Sequence, residues 1–465
     1  MPAKVKCCFP IDKIPVSHMP HTRRRFLSAA IATSAFPILG ANNRVNVGIV
    51  GLGGRGNDHM GFYGSLTDDC RIAAICDVNQ SARERASAKI LKERGYAPKE
   101  FSDMRALFES KEIEAVSLPL PNHWHALSTI WACQAGKDVY VEKPASHNIF
   151  EGRKMVEAAR KYKRMVQVGS QSRTIPHKVQ AAKLVREGAI GDVYMVRGIC
   201  YRRRFSIGHA PDEPVPAGVD WDQFLGPAQM KPYSKNRFAY NWHWMFDTGN
   251  GDVGNQGVHE MDIGLMGLNG VAYPETVTST GGKFVWVDDQ ETPNTLQTTF
   301  NFGKVEMTFE VRNLPTPTEA MSPLKPNYVG NIFFGSKGFL VVDHDGYQLY
   351  RSSGADISGE AARGAGAGGQ EKYQKTQSDV GSGEKTEPHM KNFLDAVRSR
   401  DYKSLHAEIE IGARSAAFCH LANNAYRLGR TIKLDPATGN AVNDTEALAM
   451  QTRNYRKPYE VPDKV

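Results

Sequence analysis

Zinc-type cysteine spacing, a disulfide framework, an internal repeat and an apolar run long enough to cross a bilayer are all missing from this chain. Its seven cysteines include an adjacent pair, Cys7 and Cys8. The other five, Cys70, Cys76, Cys133, Cys200 and Cys419, are scattered without metal or secreted-scaffold spacing. His123 and His125 form an H-x-H pair with no acid or cysteine at a helpful distance, so no metal is expected. No basic stripe interleaved with aromatics occurs, which removes nucleic acid as a partner. Most of the formal charge of +8 sits in residues 1–41, which hold six Lys/Arg against one Asp. The rest has globular composition and enough chain for two substantial domains.

Thr22-Arg23-Arg24-Arg25-Phe26-Leu27 precedes a weakly apolar stretch, Ala29 to Leu39, and a mediocre cleavage context at Leu39-Gly40-Ala41. The pattern fits a twin-arginine export leader over 1–41, too short and soft for a permanent membrane span. The alternative is a basic N-terminal arm. Export makes the twin-arginine translocase a partner and places the protein in the periplasm or otherwise outside the cytoplasm. Because 22 residues precede Arg23, Met19 competes with Met1 as the start. An odd number of thiols fits a protein that folds in a reducing compartment before transport.

Val45 to Val50 reads as a buried parallel strand running into Gly51-Leu52-Gly53-Gly54-Arg55-Gly56, a G-x-G-x-x-G turn that opens a helix. Gly51 permits the turn, Gly53 lets main-chain N–H groups approach a pyrophosphate, and Gly56 lets the helix pack on the strand. The next strand, Arg71 to Cys76, ends in Asp77, where a ribose-binding acid belongs; this favours NAD over NADP, with Arg55 near enough to weaken the preference. Strands and helices then alternate through Val141, giving an α/β fold whose N-terminal part, 42–170, is a Rossmann doubly wound parallel sheet. Pro121, Asn122 and His125 stand at one strand end and Glu142, Lys143 and Pro144 at the next, the edge where ligands bind. Asn122 is expected to cap the following helix, and His123 to pack.

With the leader set aside, residues 45–435 resemble the Gfo/Idh/MocA family of glucose-fructose oxidoreductase and inositol dehydrogenase. The resemblance implies a C-terminal α+β domain with an open, mainly antiparallel sheet, assigned to 171–435, and gives Lys143 of the E-K-P sequence contact with both substrate hydroxyl and cofactor. Strands are expected from Val193 to Phe339–Val342, with Trp221–Pro227 irregular, 352–387 an exposed insertion, and 436–465 a tail lying over a domain or a neighbouring subunit. Gln171 and Arg173 can reach the cleft. Trp242 and His243 offer aromatic surface to the C–H faces of a sugar. In Gly251 to Asp262, Asn255 and His259 stand four apart on one helix face. Relatives place a substrate-facing Asp and a catalytic His there, so His259 is the candidate base, Asn255 departs from the pattern, and Asp262 could orient the ring instead. A homo-oligomer is expected by the same resemblance.

The leading expectation is an NAD(P)-dependent oxidoreductase acting on a secondary hydroxyl of a sugar, cyclitol or glycoside, with Lys143, His259 and Asn255 as catalytic residues. One alternative is a glycoside hydrolase or lyase that oxidises its sugar transiently and recycles the cofactor; another is a silent NAD- and sugar-binding protein. Outside the cytoplasm free NAD is scarce, so an exported enzyme should hold its cofactor tightly.

Overall fold

In a computed structural model of the chain, residues 44–268, 271–315, 328–352, 373–377 and 385–465 are described. The expected leader lies outside them. Six strands, β1 (Val45–Val50), β2 (Cys70–Cys76), β3 (Lys99–Phe101), β4 (Ala115–Leu118), β5 (Asp138–Val141) and β6 (Val166–Val168), pair in the order β3-β2-β1-β4-β5-β6. Every pair is parallel. Helices on both faces bury β4, β5 and β6 throughout, enclosing even the polar Ser117, Asp138 and Gln167. The helices are α1 (Gly54–Ser65), α2 (Gln80–Arg94), α3 (Met104–Glu109), α4 (His125–Gln134) and α5 (Ile149–Lys161). Asn148 caps α5 by accepting from the Glu151 N–H, and Gly95 stops α2 in the left-handed region at φ +75°. Strand order reverses between β1 and β4, so a crevice opens at their carboxyl ends.

The second domain begins with α6 (Pro176–Arg186), β7 (Val193–Tyr201), α7 (Trp221–Leu225), α8 (Gly251–Asn255) and α9 (Gly257–Leu268). Seven strands follow: β8 (Thr276–Gly282), β9 (Thr295–Asn301), β10 (Glu306–Arg312), β11 (Val329–Gly335), β12 (Gly338–Asp343), β13 (Tyr347–Ser352) and β14 (Tyr373–Gln377). Then come α10 (Glu387–Ser399), α11 (Ile409–Leu428), β15 (Ile432–Lys433) and α12 (Thr445–Ala449). The sheet runs β14-β13-β12-β11-β7-β10-β9-β8-β15 and is antiparallel except for β7 beside β10. Its inner face packs Val196, Phe309 and Phe333 against α9 and α11. The approach of α9 requires glycine: a Cβ on Gly267 would stand 2.4 Å from the Phe333 ring.

Three boundaries differ from the sequence expectation. Residues 373–377, inside the expected insertion, form β14 on the edge of the sheet; a short polar edge strand carries little apolar periodicity to betray it. Trp221–Leu225 is helical, capped by Asp220. Helix α10, assigned to the second domain, packs Met390, Phe393 and Leu394 with Val45 and Ile49 of the first. The C-terminal tail lies on the nucleotide domain, where Tyr459, Val461 and Val465 join its core. Among the described residues no helix is long and apolar enough to cross a membrane, no cluster of His, Cys, Asp and Glu fits a metal ion, and the five cysteines are buried and free.

Candidate active site

The turn after β1 is shaped by its glycines. Gly51 has φ +95°, and a Cβ on Gly56 would fall 2.0 Å from the Gly51 carbonyl oxygen, so helix and turn can meet only there. Gly53 and Gly54, by contrast, face open space. They start a twelve-residue helix that has no side-chain cap, which leaves its first N–H groups and its dipole directed at an anion. Asp77 accepts from the main-chain N–H of Leu52 at 2.6 Å on Oδ2 and of Asn79 at 2.8 Å on Oδ1. Burial raises its pKa, and these two N–H groups oppose the rise. A dinucleotide fits these residues: the glycines leave room for a pyrophosphate, and the pinned carboxylate can accept ribose hydroxyls while repelling a 2′-phosphate.

Arg55 Nε donates to Glu142 Oε1 at 2.8 Å. Glu142 is buried and also meets His59 Nε2 at 3.0 Å. Burial alone would raise its pKa, yet Arg55, with His59 and Lys143, holds the carboxyl well below its usual range. Gly169 supplies the space, since a Cβ there would reach within 2.9 Å of the carboxylate. Arg55 and Glu142 are thus engaged with each other. His125 is likewise committed: its Nδ1 lies 2.6 Å from the Pro144 carbonyl and its Nε2 2.8 Å from that of Leu120, clipping two loops together. Asn122 does not cap a helix. Pro121 occupies the cap position, and Asn122 Nδ2 donates to Asn250 Oδ1 at 3.0 Å across to the second domain. His123 is buried between the carbonyls of Thr248 and Phe224, a packing role.

Lys143 stands two residues after the end of β5. Its Nζ donates to the main-chain oxygen of Asn255 at 2.6 Å and lies 3.4 Å from Asn255 Oδ1. Burial lowers its pKa, with Glu142 opposing. Asn255 Nδ2 donates to Asp252 Oδ1 at 3.2 Å and to the Tyr240 hydroxyl at 3.3 Å. Asp252 is fully buried and takes both nitrogens of an Arg204 fork, at 2.8 and 2.7 Å, besides Asn313 Nδ2 at 2.6 Å. His243 stacks on Trp242 at 3.6 Å between centroids, and its Nδ1–H donates to the Tyr240 carbonyl at 2.6 Å. Burial pushes the His243 pKa down to about 3, and the Lys143 cation acts in the same direction. Asp252, Arg204 and Tyr240 escaped sequence reasoning. Asp252 stands one helical turn before Asn255 in the glycine-rich segment, but nothing in the sequence shows that Arg204 meets it.

His259 and Gln171 line a cavity of about 250 Å³ with Lys178, Arg202 and Gln256. His259 Nδ1 and Gln171 Oε1 are buried without a hydrogen-bond partner. Burial, then Lys143 and Lys178, hold the His259 pKa well below its ordinary value, so the ring is neutral. Asp262 does not orient this ring. Its carboxylate accepts from Arg173 Nε at 3.0 and 2.9 Å and from the Ser415 hydroxyl at 2.6 Å. The buried acid thereby draws Arg173 away from the His259 cavity, into a separate depression beside Thr174 and His406.

Residues 45–170 match the family model described as an oxidoreductase family NAD-binding Rossmann fold. Residues 178–269 and 369–461 match that of the oxidoreductase family C-terminal alpha/beta domain. The chain belongs to the Gfo/Idh/MocA oxidoreductase family. Another member, inositol 2-dehydrogenase of Salmonella typhimurium, is 29% identical over 176 residues, 38% of this chain and 50% of that protein. A glycosyl hydrolase family 109 protein of Shewanella putrefaciens is 27% identical over 153 residues, 32% of this chain and 33% of that one. This chain spans about half the length, or less, of the curated relatives it matches. The crystal structure of levoglucosan dehydrogenase with NADH and levoglucosan shares the fold at a TM-score of 0.61 and 18% identity, over 84% of this chain and 99% of that one.

Proposed function

We propose that this Gfo/Idh/MocA protein is an NAD-linked oxidoreductase acting on a secondary hydroxyl of a sugar, cyclitol or glycoside. One observation carries the reading: Lys143 Nζ and Asn255 meet at the carboxyl end of β5, and His259 Nδ1 and Gln171 Oε1 line one cavity without partners. Two buried polar atoms left unpaired are costly. Two hydroxyls of one substrate, one donating to each, satisfy them.

NAD, when bound, supplies the acceptor for the hydride leaving the carbinol carbon. Lys143 donates to the substrate oxygen and stabilises the negative charge that grows there. The neutral imidazole of His259 receives the hydroxyl proton at Nδ1. Asn255 holds the ammonium of Lys143 through its main-chain oxygen and orients a neighbouring hydroxyl with its amide. Trp242, His243 and Tyr240 give the sugar an aromatic wall. The test is purified protein, its two variants Lys143→Met and His259→Ala, and myo-inositol or glucose as substrate. Both variants should release nicotinamide on denaturation yet form NADH about 100-fold more slowly or worse. A near-normal rate in His259→Ala would remove the assignment.

The match to the glycosyl hydrolase favours a second reading, a redox-neutral cycle that releases an aglycone without accumulating NADH. Retention of Lys143 weighs toward the dehydrogenase. p-Nitrophenyl glycosides distinguish them, and inactivity in both assays would mark a silent binder. We also propose export by the twin-arginine translocase with NAD already bound tightly, supported by Arg23-Arg24-Arg25-Phe26-Leu27. Replacing Arg23 and Arg24 by Lys should retain the protein in the cytoplasm. A homo-oligomer is supported by half-buried Phe334, Phe339 and Tyr350, which line up on the face of the second sheet away from its helices; sedimentation tests it.

A further inference from the structure

Helix α11 carries a polar stripe where its neighbours are alanine, leucine and phenylalanine. His420, Asn423, Asn424 and Arg427 follow one another at i, i+3, i+4 and i+7, so they share one face. The first three are buried, at 3%, 4% and 5% exposure. Burying amides and imidazole costs free energy unless their hydrogen bonds are made. Here they are made only in part. Asn423 Nδ2 donates to the Asn250 main-chain oxygen at 3.0 Å, while its Oδ1 has no partner. His420 Nε2 lies 3.3 Å from the Ser146 hydroxyl, while its Nδ1 has none.

The stripe lines a cavity of about 520 Å³, within the ~300–1,000 Å³ typical of small-molecule sites. The opposite walls are the loop after β5, the segment before α8, and the C-terminal residues around Arg453. None of its lining residues belongs to the His259 cavity. The charges in the wall balance: Lys231, Arg427 and Arg453 stand against Asp247, Glu291 and Glu446. Arg453 is paired with Asp247 and Lys231 with Glu291. Such a wall selects neither anion nor cation. The Arg427 guanidinium carbon stands 4.8 Å from the centre of the Phe246 ring, so both belong to one cation–π contact in the wall. Arg453 Nη1 faces His147 Nδ1 at 3.2 Å; because guanidinium only donates, the imidazole accepts there.

We infer that this cavity is a second ligand site, for a neutral polyhydroxylated molecule such as a monosaccharide or cyclitol, separate from the catalytic cleft. A hydroxyl both donates and accepts, so adjacent hydroxyls can pair the Asn423 carbonyl and the second nitrogen of His420 together. An anion, which only accepts, would leave the Asn423 carbonyl unpaired, and a charge of either sign would meet groups of its own sign in the balanced wall. The site does not depend on the dehydrogenase assignment. It does share an element with the cleft, since Asn250 carries both the Asn423 contact and the Asn122 contact.

Equilibrium dialysis of the full chain, as purified, with labelled D-glucose and with myo-inositol tests the assignment. The cleft is disabled by His259→Ala combined with Gln171→Ala. The cleft variant should still bind one of the two probes saturably, near one per chain. Adding Asn423→Leu should weaken that binding at least tenfold, and so should Arg427→Met, which touches only the rim and keeps the test valid if Asn423→Leu fails to fold. Absence of saturable binding by the cleft variant to either probe overturns the inference, as does binding insensitive to the α11 substitutions. In that case the stripe is paired by water alone.

Discussion

Lys143 Nζ donates to the main-chain oxygen of Asn255 at 2.6 Å and, more weakly, to its side-chain Oδ1 at 3.4 Å. A strand end of the nucleotide domain is thereby fastened to the last residue of α8. The cation rests against a carbonyl, and the nearest carboxylate on that helix, Asp252, is withdrawn one turn and occupied by Arg204. Burial, and then Lys143 and Lys178, depress the His259 pKa, with Glu142 opposing.

Asn255→Asp should reverse part of this. A carboxylate a few ångströms from a cation raises the cation's pKa by ~1 unit or more. The depressed His259 of the wild type predicts an acid limb in kcat/KM well below pH 6.5; the variant's limb should move up by about one unit. The new carboxylate also sits near Asp252 Oδ1, 3.2 Å from the present amide, so the melting temperature should fall. An acid limb that does not move would separate His259 from the proton transfer.

Asp252→Asn leaves the Arg204 guanidinium buried against Trp244 without its counter-charge. Breaking one side of a buried pair costs ~3–5 kcal/mol, which urea unfolding should register. Pairing it with Arg204→Met should recover much of the loss. If Asp252 acts by orienting the Asn255 amide, kcat should fall while cofactor remains bound; loss of stability with unchanged kcat would confine the residue to packing.

The nucleotide half was legible because its signals are local. β1, the glycine turn and Asp77 lie within a few dozen residues, and residues 139–141 are apolar throughout. The second domain is written in long-range pairings. Arg204 and Asp252 meet across 48 residues, and β14 pairs with β13 from within a glycine-rich stretch. Side-chain competition was equally hidden. Arg55, Arg173 and Asp262 suit a ligand or base by position, yet Arg55 pairs with buried Glu142, and Arg173 with buried Asp262. The sequence position of Asn122 suits a cap, but its amide donates to Asn250, 128 residues away.

The glycine turn predicts a contrast between two substitutions. Gly56→Ala places a methyl group 2.0 Å from the Gly51 oxygen, a collision that rigid backbone cannot relieve, so folded yield should drop sharply. Gly53→Ala meets nothing and should fold with a normal melting temperature. Its methyl group instead enters the space left for a pyrophosphate, so nicotinamide retained through purification should fall at least tenfold. A Gly53→Ala protein that keeps full cofactor would place the dinucleotide elsewhere.

His420 supplies a pH test of the buried stripe. Its ring is held neutral by burial, with a pKa pushed down to about 3, against ~6.5 in an unfolded chain. Below pH 6.5 the unfolded state takes a proton that the native ring refuses, so the native state loses relative stability as pH falls and keeps losing it until about pH 3. Between pH 6.5 and pH 5 the loss from this ring is about 2 kcal/mol. His420→Asn removes the titration while keeping a polar side chain of similar reach. Urea midpoints at pH 7 and pH 5 should therefore drop less in the variant than in the wild type, by an amount equivalent to ~2 kcal/mol. Equal drops would mean that the ring is already protonated or reaches solvent, and His420 would then be a donor on both nitrogens rather than a neutral partner for a hydroxyl.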